Sequence, residues 1–70
     1  MLKSVIRVWI DDKSVYVQTN DGNIYHRQFA EFPLLRKATP EQRADFQWGK
    51  QGIRWDAIDE DLSYNGFINP

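Results

Sequence analysis

The sequence contains no cysteine and a single histidine among its 70 residues. The lack of cysteine excludes disulfides and thiolate metal ligands, and it fits a reducing cytoplasm. One imidazole cannot build a histidine-rich zinc site. No apolar run approaches the roughly 20 residues of a membrane-spanning helix, and the N-terminus lacks the pattern of a signal peptide. We therefore expect a cytoplasmic protein without a cofactor.

The chain also lacks a dominant charge, since nine basic residues face ten acidic ones and the formal net charge is −1. This balance gives no overall attraction to nucleic acid or to an anionic membrane. A chain this short is one domain, spanning residues 1–70, and it buries only about 60% of its unfolded surface. Large aromatic side chains must supply much of the core. We expect Trp9, Trp48 and Trp55 to lie in the core or at its edge.

Three segments near the N-terminus are rich in β-branched and aromatic residues, which predicts strands. These segments are Val5–Ile10, Val15–Thr19 and Ile24–Phe29. The pair Asp21-Gly22 between the last two is a strong hairpin signal, because glycine supplies the positive φ that tight hairpin turns require.

The register of this hairpin has two solutions. A two-residue turn would place Val17 opposite His26, whereas a three-residue loop with Gly22 in the left-handed conformation would place Val17 opposite Tyr25. A slip of one residue moves every side chain to the other face. We prefer the three-residue loop, because Val17, Tyr25 and Phe29 then share the buried side.

Helix signals follow the hairpin. Pro33 disfavours helical backbone at the residue before it, so a short helical turn is expected to start at or after Pro33. Thr39 is a good N-cap, Pro40 suits the first helical position, and Gln42 can complete a capping box. These signals predict a short helix from Pro40 to about Asp45.

The C-terminal third predicts a loop that ends at Gly52, a last strand over Ile53–Trp55, and a short helix or turn over Leu62–Ile68. Asp61 or Ser63 is the expected cap of that final element. The predicted fold is α+β, with a three-stranded antiparallel meander, a short capped helix, a further C-terminal strand and a terminal helical turn (β-β-β-α-β-α). The helices should cover one face of the sheet.

Three blocks of the sequence, Phe32–Ala44, Gly52–Trp55 and Ile58–Ser63, closely resemble a bacterial family known as domain of unknown function 2442. The resemblance implies a small α+β protein. Some members stand alone and others are fused to a helix-turn-helix DNA-binding domain. Stand-alone members are often encoded beside another small protein, which implies an antitoxin-like or accessory role toward a small partner protein.

The chain departs from that family pattern at Arg54-Trp55-Asp56, where members often have His-Trp-Pro, and at Phe67-Ile68, where they usually have leucines. A role for a histidine at the first of these positions is therefore not transferred. No helix-turn-helix segment is recognised within the 70 residues, so the DNA binding of the fused members is not transferred either.

An acidic cluster near the C-terminus is a candidate partner-binding site. It consists of Asp56, Asp59, Glu60 and Asp61. Its simplest interpretation is that one or two of these residues cap the final turn and the others face solvent. A negative patch for a basic partner is the second interpretation. A site for a hard cation is the third, and the spacing of an EF-hand loop is absent.

Apolar residues give further candidates for contact with a partner protein. Phe32, Pro33 and Leu34 precede the capped helix and could form part of an exposed apolar patch. Trp55 joins the candidates if its ring is exposed. The first strand is another candidate, if it is an edge strand with unpaired backbone groups.

The alternative function is association with nucleic acid through a basic and aromatic sheet face. Antiparallel pairing could place Arg7 and Arg27 on one face with Trp9 and Tyr16, where bases could stack and phosphates could bind. A solvated face with long side chains lying over aromatic rings is the simpler interpretation, given the net charge.

Catalytic groups are not evident in the sequence. The three serines have no base nearby in sequence, and His26 lies in a predicted strand with no carboxylate close to it in sequence. Paired carboxylates act as acid and base only where their environments separate their pKa values, and no such environment is indicated. We therefore expect an interaction module and not an enzyme.

Overall fold

The computed structural model describes residues 4–68 and shows an α+β fold. Its first half is a three-stranded antiparallel sheet in the order β1-β2-β3. The strands are β1 (Val5–Ile10), β2 (Ser14–Thr19) and β3 (Ile24–Gln28). Within the described residues β1 is therefore an edge strand. A β-bulge interrupts its pairing with β2 between Val5 and Arg7.

The hairpin between β2 and β3 has the preferred three-residue loop. Val17 lies opposite Tyr25, and the Thr19 amide donates to the Asn23 carbonyl at 2.9 Å. Gly22 has a φ of 90°, in the left-handed region that glycine adopts without strain. The Asp21 carboxylate stabilises the loop by accepting hydrogen bonds from the Thr19 hydroxyl and the Asn23 amide. The register and the structural roles of Asp21 and Gly22 are confirmed.

The same register corrects the predicted basic face. Val15, which is fully buried, lies opposite Arg27, so Arg27 is on the inner side of the sheet. There its guanidinium lies over the Phe32 ring and donates to Glu31 and to the Gly66 carbonyl. The prediction that Arg27 shares a face with Arg7, Trp9 and Tyr16 is wrong, because neighbouring residues on a strand point to opposite faces.

Short helical elements follow β3. Phe29, predicted as the last residue of the third strand, instead begins a 3₁₀ turn over Phe29–Glu31 and is buried. α1 (Pro33–Lys37) and α2 (Pro40–Ala44) come next. The Gln42 amide donates to the Thr39 hydroxyl at 3.1 Å, and the Thr39 amide donates to the Gln42 side chain at 3.0 Å. The predicted capping box, with Pro40 at the first position, is confirmed.

The second half is a small antiparallel sheet in the order β4-β5-β6, of which only the middle strand was predicted. The strands are β4 (Gln47–Trp48), β5 (Gly52–Trp55) and β6 (Glu60–Ser63), followed by α3 (Asn65–Ile68). Leu62 and Ser63 were expected to begin the final helix but pair with β5. Of the two predicted caps, the Ser63 hydroxyl meets the start of α3, where it accepts from the Asn65 amide at 3.2 Å. Asp61 lies in β6.

Gly52 allows β5 and β6 to approach closely. A Cβ atom at this position would lie 2.3 Å from the Leu62 carbonyl oxygen, a distance that real contacts do not reach. The absence of a side chain therefore sets the spacing of the two strands. Leu62 itself is buried in the core, so both residues have the structural roles expected of them.

The core combines the inner face of the first sheet with the buried side chains of the helices and the second sheet. Its fully buried hydrophobic residues are Val15, Val17, Phe29, Leu35, Ile53 and Trp55. Trp55 packs against Phe46 and donates its indole N–H to the Arg43 carbonyl at 2.9 Å. Trp9 is half-buried, but Trp48 is 44% exposed and is not a core residue.

Arg43 in α2 ties this helix to α1 and to the 3₁₀ turn before it. Its guanidinium donates to the Leu35 carbonyl at 2.9 Å and to the Arg36 carbonyl at 3.1 Å, both at the C-terminal end of α1. The same group lies 4.8 Å above the Phe29 ring. Carbonyls at the C-terminal end of a helix favour a cation, so Arg43 stabilises the contact between these two short helices.

Candidate functional site

Three carboxylates of the acidic cluster converge on one guanidinium, that of Arg54. Asp56 Oδ1 lies 2.8 Å from Arg54 Nε, Asp59 Oδ1 lies 2.7 Å from Nη2, and Asp61 Oδ2 lies 3.2 Å from Nη1. Each nitrogen of the guanidinium thus has its own carboxylate partner. All four side chains are largely exposed to solvent. We call the four residues, together with Glu60, the Arg54 cluster.

Local backbone geometry brings the cluster together. Arg54 in β5 is directly opposite Asp61 in β6, so these two side chains share the solvent face of the second sheet. Between the strands, Asp56 begins a 3₁₀ turn over Asp56–Ile58, and Asp59 follows with φ 52°. Aspartate tolerates this left-handed conformation better than most residues. The sharp reversal returns Asp59 toward the guanidinium.

The cluster carries an excess of negative charge. Four carboxylates and one guanidinium leave three negative charges uncompensated at neutral pH. The hydrogen bond that Arg54 donates to Asp59, followed by the one it donates to Asp56, raises the pKa of Arg54 above its usual value. Exposed ion pairs add little to stability, so we attribute to Arg54 mainly the ordering of the three aspartates.

The arrangement differs from that of a metal site. Within residues 4–68, no group of three or more histidine, aspartate or glutamate side chains is placed to hold a metal ion. Instead, one carboxylate oxygen of each of the three aspartates lies at hydrogen-bonding distance from the Arg54 guanidinium.

A shallow groove runs beside the cluster, with a volume of about 330 Å³. Its lining residues come from β5, β6 and the residue before β5, and they are Gln51, Gly52, Ile53, Arg54, Asp61, Leu62 and Ser63. The groove extends the surface of the cluster along β5 and β6.

Trp55, one of the predicted partner-binding residues, is a core residue. Its ring is 0% exposed and therefore offers no surface to a partner. Strand alternation explains this outcome, because Arg54 and Trp55 are neighbours on β5 and point to opposite faces. The assignment of Trp55 to a binding surface is corrected, and the assignment to the core holds.

The predicted apolar patch ahead of α2 is only partly exposed. Phe32 is half-buried beneath the Arg27 guanidinium, whose central carbon lies 5.3 Å from the ring centre. Pro33 is exposed, and Leu34 is 47% exposed on α1. Two of the three residues thus present apolar surface, on a different element from the Arg54 cluster.

The outer face of the first sheet carries a row of aromatic side chains, which we call the aromatic row. Trp9 stacks on Tyr16 with ring centres 5.4 Å apart, and Tyr16 meets His26 edge-on at 5.6 Å. Arg7 lies 4.5 Å above the Trp9 ring. The Tyr16 hydroxyl donates to Asp11 at 2.5 Å, which raises the pKa of Tyr16 and lowers that of Asp11.

Sequence reasoning missed two of these features. It identified Arg54 only as one basic residue among nine and did not connect it with the aspartates, although spacings of two, five and seven residues across a hairpin could have suggested the contacts. It also left His26 out of the aromatic row. The preferred hairpin register already implied that position, because it places His26 opposite Tyr16.

Comparison with known proteins identifies the family. Residues 5–70 match the model of a family described as "Protein of unknown function (DUF2442)". The chain belongs to this family. A search of curated proteins and a search of solved structures gave no match. Within residues 4–68, no helix of this family member is long and apolar enough to cross a membrane.

Proposed function

We propose that this DUF2442 protein is a non-enzymatic interaction module that binds a small protein partner in the bacterial cytoplasm, as an antitoxin or an accessory subunit does. The observation that carries the proposal is the Arg54 cluster, in which three aspartates are ordered on an exposed sheet face by one guanidinium. The surface complementary to it is a basic patch on the partner.

Ordering of the aspartates favours binding in a specific way. A partner normally loses affinity when it must immobilise flexible side chains. Here Arg54 already restrains three of the carboxylates, and Asp59 is further restrained by its turn. Complementary charge across an interface increases the association rate and excludes wrong partners. A partner with a lysine-rich or arginine-rich surface would therefore associate faster with this site and be preferred over partners that lack such a surface.

The test is an affinity pull-down from a lysate of the protein's own host, with mass spectrometry of the captured proteins. The variant Asp56→Asn/Asp59→Asn/Asp61→Asn removes three negative charges and keeps side chains of similar shape. A control variant removes three acidic charges elsewhere, at Asp12, Glu41 and Asp45, which are all exposed. We expect one stoichiometric small protein with the wild type and the control, and its loss with the cluster variant.

Two results would overturn the proposal. One is a captured partner that binds the cluster variant as well as it binds the wild type, which would place the interface elsewhere. The other is the absence of any stoichiometric protein under low-salt conditions, where charge-driven binding is strongest.

Association with nucleic acid is the second candidate function, and the aromatic row favours it. Trp9, Tyr16 and His26 offer stacking surfaces, and Arg7 adds a positive charge. The placement of Arg27 on the inner side removes one of the two arginines on which this alternative relied. Recovery of DNA or RNA that elutes as salt is raised would support it.

A further inference from the structure

We propose that β1 pairs with β1 of a second copy of this chain, which joins the two first sheets into one antiparallel sheet of six strands. The starting observation is that, among residues 4–68, β1 is an edge strand that pairs with β2 on one side alone. Its sequence contains one charged residue, Arg7, and no proline or lysine of the kind that protects exposed edges. The proposal concerns the first sheet and does not rest on the proposed function.

The hydrogen-bond pattern of β1 determines which backbone groups are available. The Asp11 amide donates to the Ser14 carbonyl, so Asp11 faces β2. Antiparallel ladders alternate, and Trp9 therefore also faces β2, while the amides and carbonyls of Val8 and Ile10 point toward the open edge. The bulge lies between Val5 and Arg7, outside this stretch. Val8–Ile10 is thus a regular stretch of strand whose outward amides and carbonyls can form hydrogen bonds with another strand.

A two-fold axis beside Trp9 gives hydrogen-bond partners to the amides and carbonyls of Val8 and Ile10. In that register, Val8 forms a hydrogen-bonded pair with Ile10 of the second copy, and Ile10 forms the equivalent pair with Val8 of the second copy. Trp9 then lies opposite Trp9 of the second copy in a non-hydrogen-bonded pair, where side chains are closest. The inner face of the first sheet in one copy then continues into the inner face of the first sheet in the other, as a symmetric dimer requires.

Charge complementarity selects this register. It places Arg7 opposite Asp11 of the second copy, and the symmetry repeats the pair on the other side. Both side chains lie on the outer face, since Arg7 stacks on Trp9 and Asp11 accepts from Tyr16. Shifting the register by two residues in one direction would place Arg7 opposite Trp9 of the second copy and lose both ion pairs. Shifting it in the other would place Asp11 opposite Trp9 and lose both ion pairs.

The aromatic row becomes continuous in the proposed dimer. Tyr16 and Trp9 of one copy would be followed by Trp9 and Tyr16 of the second, with His26 at each end. Aromatic pairs across antiparallel strands are among the more stabilising cross-strand pairs.

The first experiment measures the molecular mass by sedimentation equilibrium over a concentration series. We expect twice the monomer mass of 8.3 kDa. Arg7→Glu places a carboxylate opposite Asp11 of the second copy, and we expect it to raise the dimer Kd by roughly tenfold or more. Lys50→Glu makes the same change of charge in the exposed turn after β4 and should leave the Kd within about twofold.

The second experiment uses the absence of native cysteine, which makes any introduced thiol unique. Trp9→Cys places two thiols across a non-hydrogen-bonded pair, with Cα atoms about 4.5 Å apart, within the range for a disulfide. We expect rapid disulfide-linked dimer formation on mild oxidation. Ile6→Cys and Ile24→Cys are the controls, because both isoleucines are 56% exposed on edge strands and neither lies on the two-fold axis.

Three outcomes would overturn the dimer. The wild type could keep the monomer mass up to about 1 mM. A dimer could form with the same Kd for Arg7→Glu and Lys50→Glu, which would place the interface elsewhere. Trp9→Cys, shown to be folded by circular dichroism, could cross-link no faster than the two control cysteines.

Discussion

Trp55 is the side chain on which the core depends most. It is fully buried, packs on Phe46 and satisfies the Arg43 carbonyl. We expect Trp55→Ala to lower the free energy of unfolding by about 3–5 kcal/mol, because a large cavity forms and a hydrogen bond is lost. Small domains often have little more than about 5 kcal/mol in total. Urea denaturation followed by circular dichroism measures the loss.

Trp48→Ala is the control for that prediction, since the Trp48 ring is 44% exposed. It should change the free energy of unfolding by less than about 1 kcal/mol. Equal denaturation midpoints for the two variants would show that the Trp55 ring is not buried.

Gly52 and Gly49 form a matched pair of glycines. A Cβ at Gly52 would collide with the Leu62 backbone, whereas a Cβ at Gly49 meets nothing within 4 Å. We expect Gly52→Ala to separate β5 from β6 and to cost about 1–3 kcal/mol, with Gly49→Ala close to neutral. Thermal unfolding compares them. A Gly52→Ala protein as stable as Gly49→Ala would contradict the close approach of the two strands.

At the scale of elements, α2 depends on its ends. The helix has five residues and none of them is buried, so the burial of its own side chains contributes little to its stability. The Thr39 capping box supplies partners for backbone groups that a short helix leaves unpaired. We expect Thr39→Ala to cost about 1 kcal/mol and Thr39→Ser to restore most of it. Chemical denaturation distinguishes the two, and equal stabilities would argue against the cap.

Local signals explain why part of the fold was predictable. Asp21-Gly22 and Thr39-Pro40 act on the backbone within a few residues, so the hairpin loop and the start of α2 were predicted correctly. β4 has two residues, and β6 carries Glu60 and Asp61, so neither resembles a strand in isolation. Their conformation comes from pairing with β5, which sequence periodicity does not reveal.

The candidate site was likewise predictable only in part from the sequence. The aspartates were recognisable as an acidic cluster from their spacing alone. The role of Arg54 depends on the reversal at Asp59, a residue with positive φ that lacks the usual glycine signal. The face of Arg27 could have been derived, because the preferred three-residue loop already pairs it with Val15.

At the scale of the whole molecule, Tyr64 predicts how stability depends on pH at the alkaline end. Burial raises the pKa of Tyr64 to about 12 from an ordinary value of 10.0. The folded state therefore holds a proton that the unfolded state releases. The stabilisation is complete below pH 10 and is lost as the pH rises through 12. Thermal unfolding across this window should show a falling Tm.

The control for this pH dependence is Tyr64→Phe. At neutral pH it should cost about 1 kcal/mol, because the Tyr64 hydroxyl donates to the Gly49 carbonyl at 2.7 Å. Above pH 10 its Tm should fall less steeply than that of the wild type. Some decline will persist, since the hydrogen bond to Asp11 also raises the pKa of Tyr16. Parallel curves would show that Tyr64 is not responsible.

The three tryptophans lie in three different surroundings, so their intrinsic fluorescence can report on different parts of the protein. Trp48 is open to water, Trp55 is enclosed by the core, and Trp9 is stacked on Tyr16 at the sheet edge. An aqueous quencher such as iodide reaches Trp48 in the native state and reaches Trp55 only when the core opens. Emission from Trp9 responds to whatever binds along β1. Loosening of the core and occupation of the edge can therefore be followed separately, without attaching any dye.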